Sequence, residues 1–272
     1  MREKVILQVL IFYLVAIGFS WSAWLPLALA GGAPGTPLQL LHFLGGLGPA
    51  VGALVAASVF GGKRGAISFV QRARQWRAKP WLYVTAIAGP FILLAGANGV
   101  APFLGGTPLN WSNLLANAEF PGLTPLLYVA AILVFYGFGE EIGWRGYLAP
   151  LLDARWGLFV SIVVVSILWA IWHLPLFWFS PGMREMGIPG AAGWFFSLLA
   201  GAALLSWFAR QAKGGVLLPA IFHATMDLAF VTNAGPVTAS IVGAAVTICG
   251  VGAMGWSWRQ AASVAQRAPN VG

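Results

Sequence analysis

Charge is what this chain has least of. Only 8% of its 272 residues are charged, 15 Lys and Arg against seven Asp and Glu. Twenty-two charges are too few to form the polar shell that a soluble domain of this size needs. Cysteine is nearly absent as well. With Cys249 alone there is no intrachain disulfide and no cysteine-rich metal site, and its place in the last apolar run suggests plain packing. Several enzyme signatures are missing: no HExxH pair of zinc-binding histidines, no GxSxG nucleophile elbow and no Walker-type phosphate loop. No fixed-period repeat and no low-complexity tract interrupts the chain, so it reads as one membrane domain over 1–272.

What is present is apolar. Hydrophobic residues make up 59% of the chain and its mean hydropathy is +0.82. Apolar runs of about 20 residues, each long enough to cross a hydrocarbon core of roughly 30 Å as a helix, recur along the whole length. The fold class is therefore all-α: a polytopic transmembrane helical bundle of about eight helices. The expected spans are 5–30, 38–60, 81–106, 123–152, 158–179, 194–211, 214–233 and 237–258. The 35 glycines suit close helix approach, with GPAVG at 48–52 as one such spacing. Arg2 and Lys4 ahead of a run ending in ALA could suggest a leader. The run is longer than a usual signal core and further spans follow, so it reads as a retained first span.

Basic residues orient the bundle. With the N-terminus inside, 13 of the 15 fall in cytoplasmic segments: Arg2, Lys4, Lys63, Arg64, Arg72, Arg74, Arg77, Lys79, Arg155, Arg210, Lys213, Arg259 and Arg267. Segments 31–37, 107–122 and 234–236 hold no Lys or Arg, as the cytoplasmic bias of basic residues requires. An integral protein of a bacterial-type cell membrane with both termini cytoplasmic is the expectation. The net charge of +8 then points to a bilayer partner, with the basic loop 61–80 on anionic headgroups, and not to nucleic acid.

Against this background, three acidic residues and all three histidines fall within spans: Glu140, Glu141, Asp227, His42, His173 and His223. A charge at mid-bilayer costs about 2.5–3.5 kcal/mol, and such groups usually line a site or pair with each other. In FGEEIGWRGY at 138–147, Glu141 and Arg145 stand four apart with the acid N-terminal, the favourable order for an ion pair. Glu140 is rotated by about 100° from Glu141. That leaves it without a local partner and available as a general base. In ILWAIWHLPLFWF, Trp169 and His173 share a face, and Pro175 is expected to kink the chain just past the histidine and free carbonyls beside it. In LLPAIFHATMDLAF, His223 and Asp227 are four apart, so the carboxylate can support the imidazole. His42 has no acidic neighbour at helical spacing and reads as packing. Glu140, His173, His223 and Asp227 thus form an acid–base set from three helices, with enough ligands for one divalent metal.

These residues carry a resemblance. EEIGWR at 140–145 fits EExxxR. WAIWH at 169–173 fits FxxxH with Trp169 in place of Phe, and HATMD at 223–227 fits HxxxN with Asp227 in place of Asn. Order, spacing and placement in spans resemble the CAAX prenyl endoprotease and bacteriocin-processing (CPBP, or Abi) family of intramembrane proteases, over about 120–235. The resemblance implies a peptidase core within the bilayer acting on membrane-proximal peptides or proteins. Glu140 and His173 would activate a water, and His223 and residue 227 would stabilise the oxyanion or help hold a metal such as zinc. Glu141, Arg145 and Trp169 would be supporting, the tryptophan keeping an aromatic wall. An ionised Asp227 cannot donate to an oxyanion, so it would orient His223, be protonated or ligate a metal. No cofactor follows from the sequence itself, and a metal-free glutamate mechanism is favoured because no tight histidine pair exists. Two other readings use the same residues: a non-catalytic binding or immunity protein, and a proton-coupled transporter.

One expectation concerns depth. Counting about 1.5 Å per residue along each span leaves Glu140, His173 and His223 at levels too different for side chains to bridge. Either span four breaks near Gly137 and Gly139, or span five starts deeper than drawn. A water-filled cavity beside Glu140, reached from the cytoplasm, would accompany such a break.

Overall fold

A computed structural model describes residues 2–115, 119–231 and 234–267. Among them every regular element is helical. Apart from short 3-10 turns and the single-turn helix Pro181–Arg184, these are in chain order α1 (Arg2–Leu29), α2 (Leu40–Gly45), α3 (Gly48–Ala73), α4 (Pro80–Val100), α5 (Pro125–Trp156), α6 (Leu158–Trp172), α7 (Leu176–Phe179), α8 (Gly187–Gln211), α9 (Leu217–Val231) and α10 (Pro236–Arg267). Among the described residues six helices are long and apolar enough to cross a membrane, and α6 and α9 are shorter apolar helices. Leu14, Ile92, Leu126, Phe159, Phe196 and Ile248 are exposed on the periphery. A soluble protein would bury such residues, and here they make a lipid-facing rind. The molecule is a polytopic helical membrane protein.

The elements answer the eight expected spans with three corrections. Span two, drawn as 38–60, is split. A short turn and α2 precede α3, which begins at Gly48 with Pro49 in its first turn, where the missing proline N–H does no harm. It then runs on to Ala73 through a non-helical Gly62. Span five, drawn as 158–179, ends at Trp172, so α6 has 15 residues and a length of only about 22 Å. Pro175 cannot donate to the carbonyl a turn earlier, and a tight turn leads into α7. Span four does not break. It is continuous but changes pitch, with π-helical turns over Ile132–Phe138 and Trp144–Leu148 on either side of an α-helical Gly139–Gly143. Cys249 is exposed on α10, not packed as expected.

Small residues set the helix spacing around α5. A Cβ on Gly137 would lie 2.6 Å from the carbonyl oxygen of Ala220 in α9, and one on Gly139 would lie 2.6 Å from that of Gly46. One on Gly143 would lie 2.4 Å from the carbonyl oxygen of Pro49 in α3. Gly48 and Gly52 let α3 lie against Ser20, Ala16 and Phe12 of α1. Beside these contacts sit three fully buried tryptophans, Trp24, Trp144 and Trp172. Two of them are anchored by polar bonds. Trp24 donates to the His42 carbonyl at 3.0 Å, and Trp172 donates to Ser20 Oγ at 2.7 Å. Ser20 in turn donates to the Gly45 carbonyl at 2.6 Å. Buried indole N–H groups need such acceptors. Together they fix α1, α2 and α6 as one wall of the cavity that α5 fills.

Candidate active site

The two π-helical stretches of α5 bracket Glu140 and Glu141. A π turn adds a residue to the helical cycle and re-aims the side chains beyond it, and such turns recur at functional sites. Both glutamates point inward, Glu140 with 4% of its surface exposed and Glu141 with none.

Glu141 joins two helices. Its Oε1 accepts from Arg145 Nη1 at 2.8 Å, the pair expected from the spacing. The same oxygen lies 2.9 Å from His223 Nδ1 on α9. A carboxylate only accepts, so His223 carries its hydrogen on Nδ1 and turns Nε2 the other way. There it meets Asp227 Oδ2 at 3.6 Å, an ion-pair contact too long for a hydrogen bond. The carboxylate that orients His223 is therefore Glu141, not Asp227. Spacing along one helix suggests Asp227; it cannot reveal Glu141, which stands 82 residues away.

Glu140 is not without a partner either. Its Oε2 accepts the indole N–H of Trp169 on α6 at 2.6 Å. Trp169 is more than a wall: the Arg145 guanidinium sits 4.6 Å from its ring centre, and the His223 ring meets it edge-on at 5.4 Å. The signal for this bond is present in the sequence, since replacing Phe by Trp adds one donor to an apolar span. Its target is not.

His173 caps α6. Its Nδ1 is 2.8 Å from the Trp169 carbonyl, which can only accept, so Nδ1 carries hydrogen and a neutral ring offers its lone pair at Nε2. The same carbonyl accepts the His173 backbone N–H at 3.2 Å, so it is not one of the carbonyls expected to be freed by Pro175. The rings of Trp172 and Trp194 hold the imidazole edge-on at 4.7 and 5.5 Å.

All seven expected residues gather in one cluster. Glu140, His173 and His223 all meet Trp169, so the three lie at one level despite the depths counted along each span, and α5 reaches it without breaking. Glu140, Glu141, Arg145 and His223 are buried, and Asp227 keeps 30% of its side chain exposed, so the cluster opens at Asp227. His42 was expected to be plain packing. Its Nδ1 is 2.6 Å from Glu119 Oε1, with Ser180 Oγ 3.4 Å from the other oxygen. No helical spacing could reveal a partner 77 residues off in a connecting segment.

A metal would need three or four converging donors. Among the described residues no three His, Cys, Asp or Glu side chains stand so that they could hold one. Glu140 Oε2 and His173 Nδ1 are taken up by Trp169, and Glu141 Oε1 by Arg145 and His223. The donor set as arranged does not fit a zinc ion, and no step below is routed through one.

Fold and site together define a polytopic helical membrane protein with a buried glutamate–histidine centre assembled from α5, α6 and α9. Residues 122–229 match the family described as Type II CAAX prenyl endopeptidase Rce1-like. A stretch of 109 residues is 28% identical to CAAX prenyl protease 2 of Methanococcus maripaludis, covering 39% of this chain. The matched region spans 40% of that relative's own length. Both findings bear out the resemblance to the CPBP family of intramembrane proteases over the segment that bears the motifs.

Proposed function

We propose that this protein is an intramembrane endopeptidase that hydrolyses membrane-proximal peptides or proteins with a water activated by Glu140 and His173. One observation carries the reading: two ionisable side chains from different helices are held by fixed partners so that each keeps one reactive atom free. Glu140 is bonded through Oε2, leaving Oε1. His173 is bonded through Nδ1, leaving Nε2.

In the proposed reaction Glu140 Oε1 takes a proton from water while the water oxygen attacks the substrate carbonyl carbon. The carbonyl oxygen becomes an oxyanion. Donors aimed at that oxygen are typically worth about 10²–10³ in rate, and in this reading His223 Nε2, when protonated, and a protonated Asp227 would supply them. Glu140 then returns its proton to the departing amine nitrogen as the C–N bond breaks. Arg145 and Glu141 keep His223 in register. The motif-bearing core at about 120–235 would do this chemistry within a single membrane domain, with both termini cytoplasmic. The relative's name suggests prenylated CAAX substrates as one class to test. Leader peptides are another.

The test is a peptidase assay on purified protein with a library of membrane-proximal peptides. Cleavage by the parent and none by Glu140→Gln is the expected result, because the amide keeps the shape but cannot take the proton. Most activity surviving in Glu140→Gln would remove Glu140 from the role of base.

A further inference from the structure

Trp169 departs from the Phe of the motif it fits, and the difference is a single donor group aimed at the proposed base. We propose that the indole N–H of Trp169 is a positioning donor that fixes the Glu140 carboxylate for attack, a role that an aromatic wall alone does not supply. The inference rests on the peptidase reading for its effect on rate; the bond itself does not.

Among the described residues Glu140 accepts one side-chain hydrogen bond, the 2.6 Å bond from Trp169 Nε1. Glu140 as a residue is only 4% exposed. Bonds from N–H to a carboxylate are short and roughly twice as strong as neutral ones. With Oε2 pinned, rotation of the carboxylate is restricted and Oε1 has one direction. The donor is itself immobile. Arg145 sits on the indole face at 4.6 Å and is tied to Glu141 at 2.8 Å. His223 stands against the ring edge at 5.4 Å. On the backbone side, the Trp169 carbonyl receives the His173 Nδ1 hydrogen at 2.8 Å. One residue thus sets both groups proposed to activate the water: Glu140 through its side chain and His173 through its main chain. Phenylalanine would preserve the packing and the carbonyl but leave Oε2 buried without a donor, which a buried polar atom tolerates poorly.

The experiment compares the full-length protein with Trp169→Phe and with a variant carrying benzothienylalanine at 169, which keeps the bicyclic shape and replaces N–H by sulfur. Both should lose about 10- to 100-fold in kcat, the scale of a small misplacement of a catalytic group, with KM within roughly twofold because substrate binding is untouched. Wild-type kcat in either variant overturns the proposal. So does a loss in Trp169→Phe that the sulfur isostere restores, since ring size is then the cause. A second arm needs no turnover. The ¹⁵N-indole resonance of Trp169, assigned by its disappearance in Trp169→Phe, should move on Glu140→Ala, and a resonance that stays in place overturns the bond. If the parent cleaves no peptide yet this resonance moves, the peptidase reading fails while the Trp169–Glu140 bond stands.

Discussion

Glu141 Oε1 lies 2.9 Å from His223 Nδ1 while accepting Arg145 Nη1 at 2.8 Å. A single oxygen therefore ties α5 to α9 and chooses which histidine nitrogen faces the open end of the site. Arg145 has no hydrogen-bond partner for Nε or Nη2 among the described residues, so Glu141 bears most of the work of keeping that cation inside.

Glu141→Gln is expected to harm folding before chemistry. Removing one partner of a buried ion pair typically costs about 3–5 kcal/mol, because the other charge stays buried. Yield and thermal stability of the purified protein should fall together, and the fraction that folds should lose activity as His223 loses its anchor. Wild-type stability would mean that Arg145 finds another acceptor. Because Glu140→Gln should leave stability nearly intact, the two adjacent glutamates are separable by melting temperature alone.

Asp227→Asn should preserve or raise activity. At 3.6 Å, Asp227 does not hold His223 by a hydrogen bond, and the amide supplies a donor that an ionised carboxylate lacks. A rate loss of about 10²–10³, the usual consequence of deleting an oxyanion-stabilising group, would instead show that the carboxyl itself is needed.

Chelator treatment should leave the cleavage rate unchanged in both the parent and Asp227→Asn, since no three donors converge among the described residues. Activity lost with chelator and restored by zinc would overturn this. It would mean that the site rearranges to bring three ligands together.

Gly139→Ala should uncouple the site from its wall. The new methyl group would sit 2.6 Å from the Gly46 carbonyl oxygen, and main chain cannot step aside as a long side chain can. Overpacking of this kind costs about 1–3 kcal/mol. The compensating shift of α5 moves Glu140, so kcat should drop more than stability suggests. Thermal melts and cleavage rates on the same preparation check both parts.

Orientation is open to a direct test. Reporter fusions after Lys79 and after Arg267 should report the cytoplasmic side, and one near Asn113 the opposite side. An opposite-side signal at the C-terminus would require an odd number of crossings.

The sequence by itself determined the class of molecule, because hydropathy and the scarcity of charge are sums over the chain that need no coordinates. It also determined contacts within one helical turn. Glu141 and Arg145, four residues apart, meet as their spacing requires, since local geometry brings them together. His223 and Asp227 mark where that rule stops. They share a face, yet the imidazole turns its bonded nitrogen to a carboxylate on another helix. Only the tertiary structure decided such pairings. Trp169 with Glu140, Glu141 with His223 and His42 with Glu119 each depend on the rotation and depth of one segment against another. Those quantities are fixed by where glycines allow backbones to touch, by the early end of α6 and by two π-helical stretches that re-aim α5. Residue spacing within a single span does not encode them.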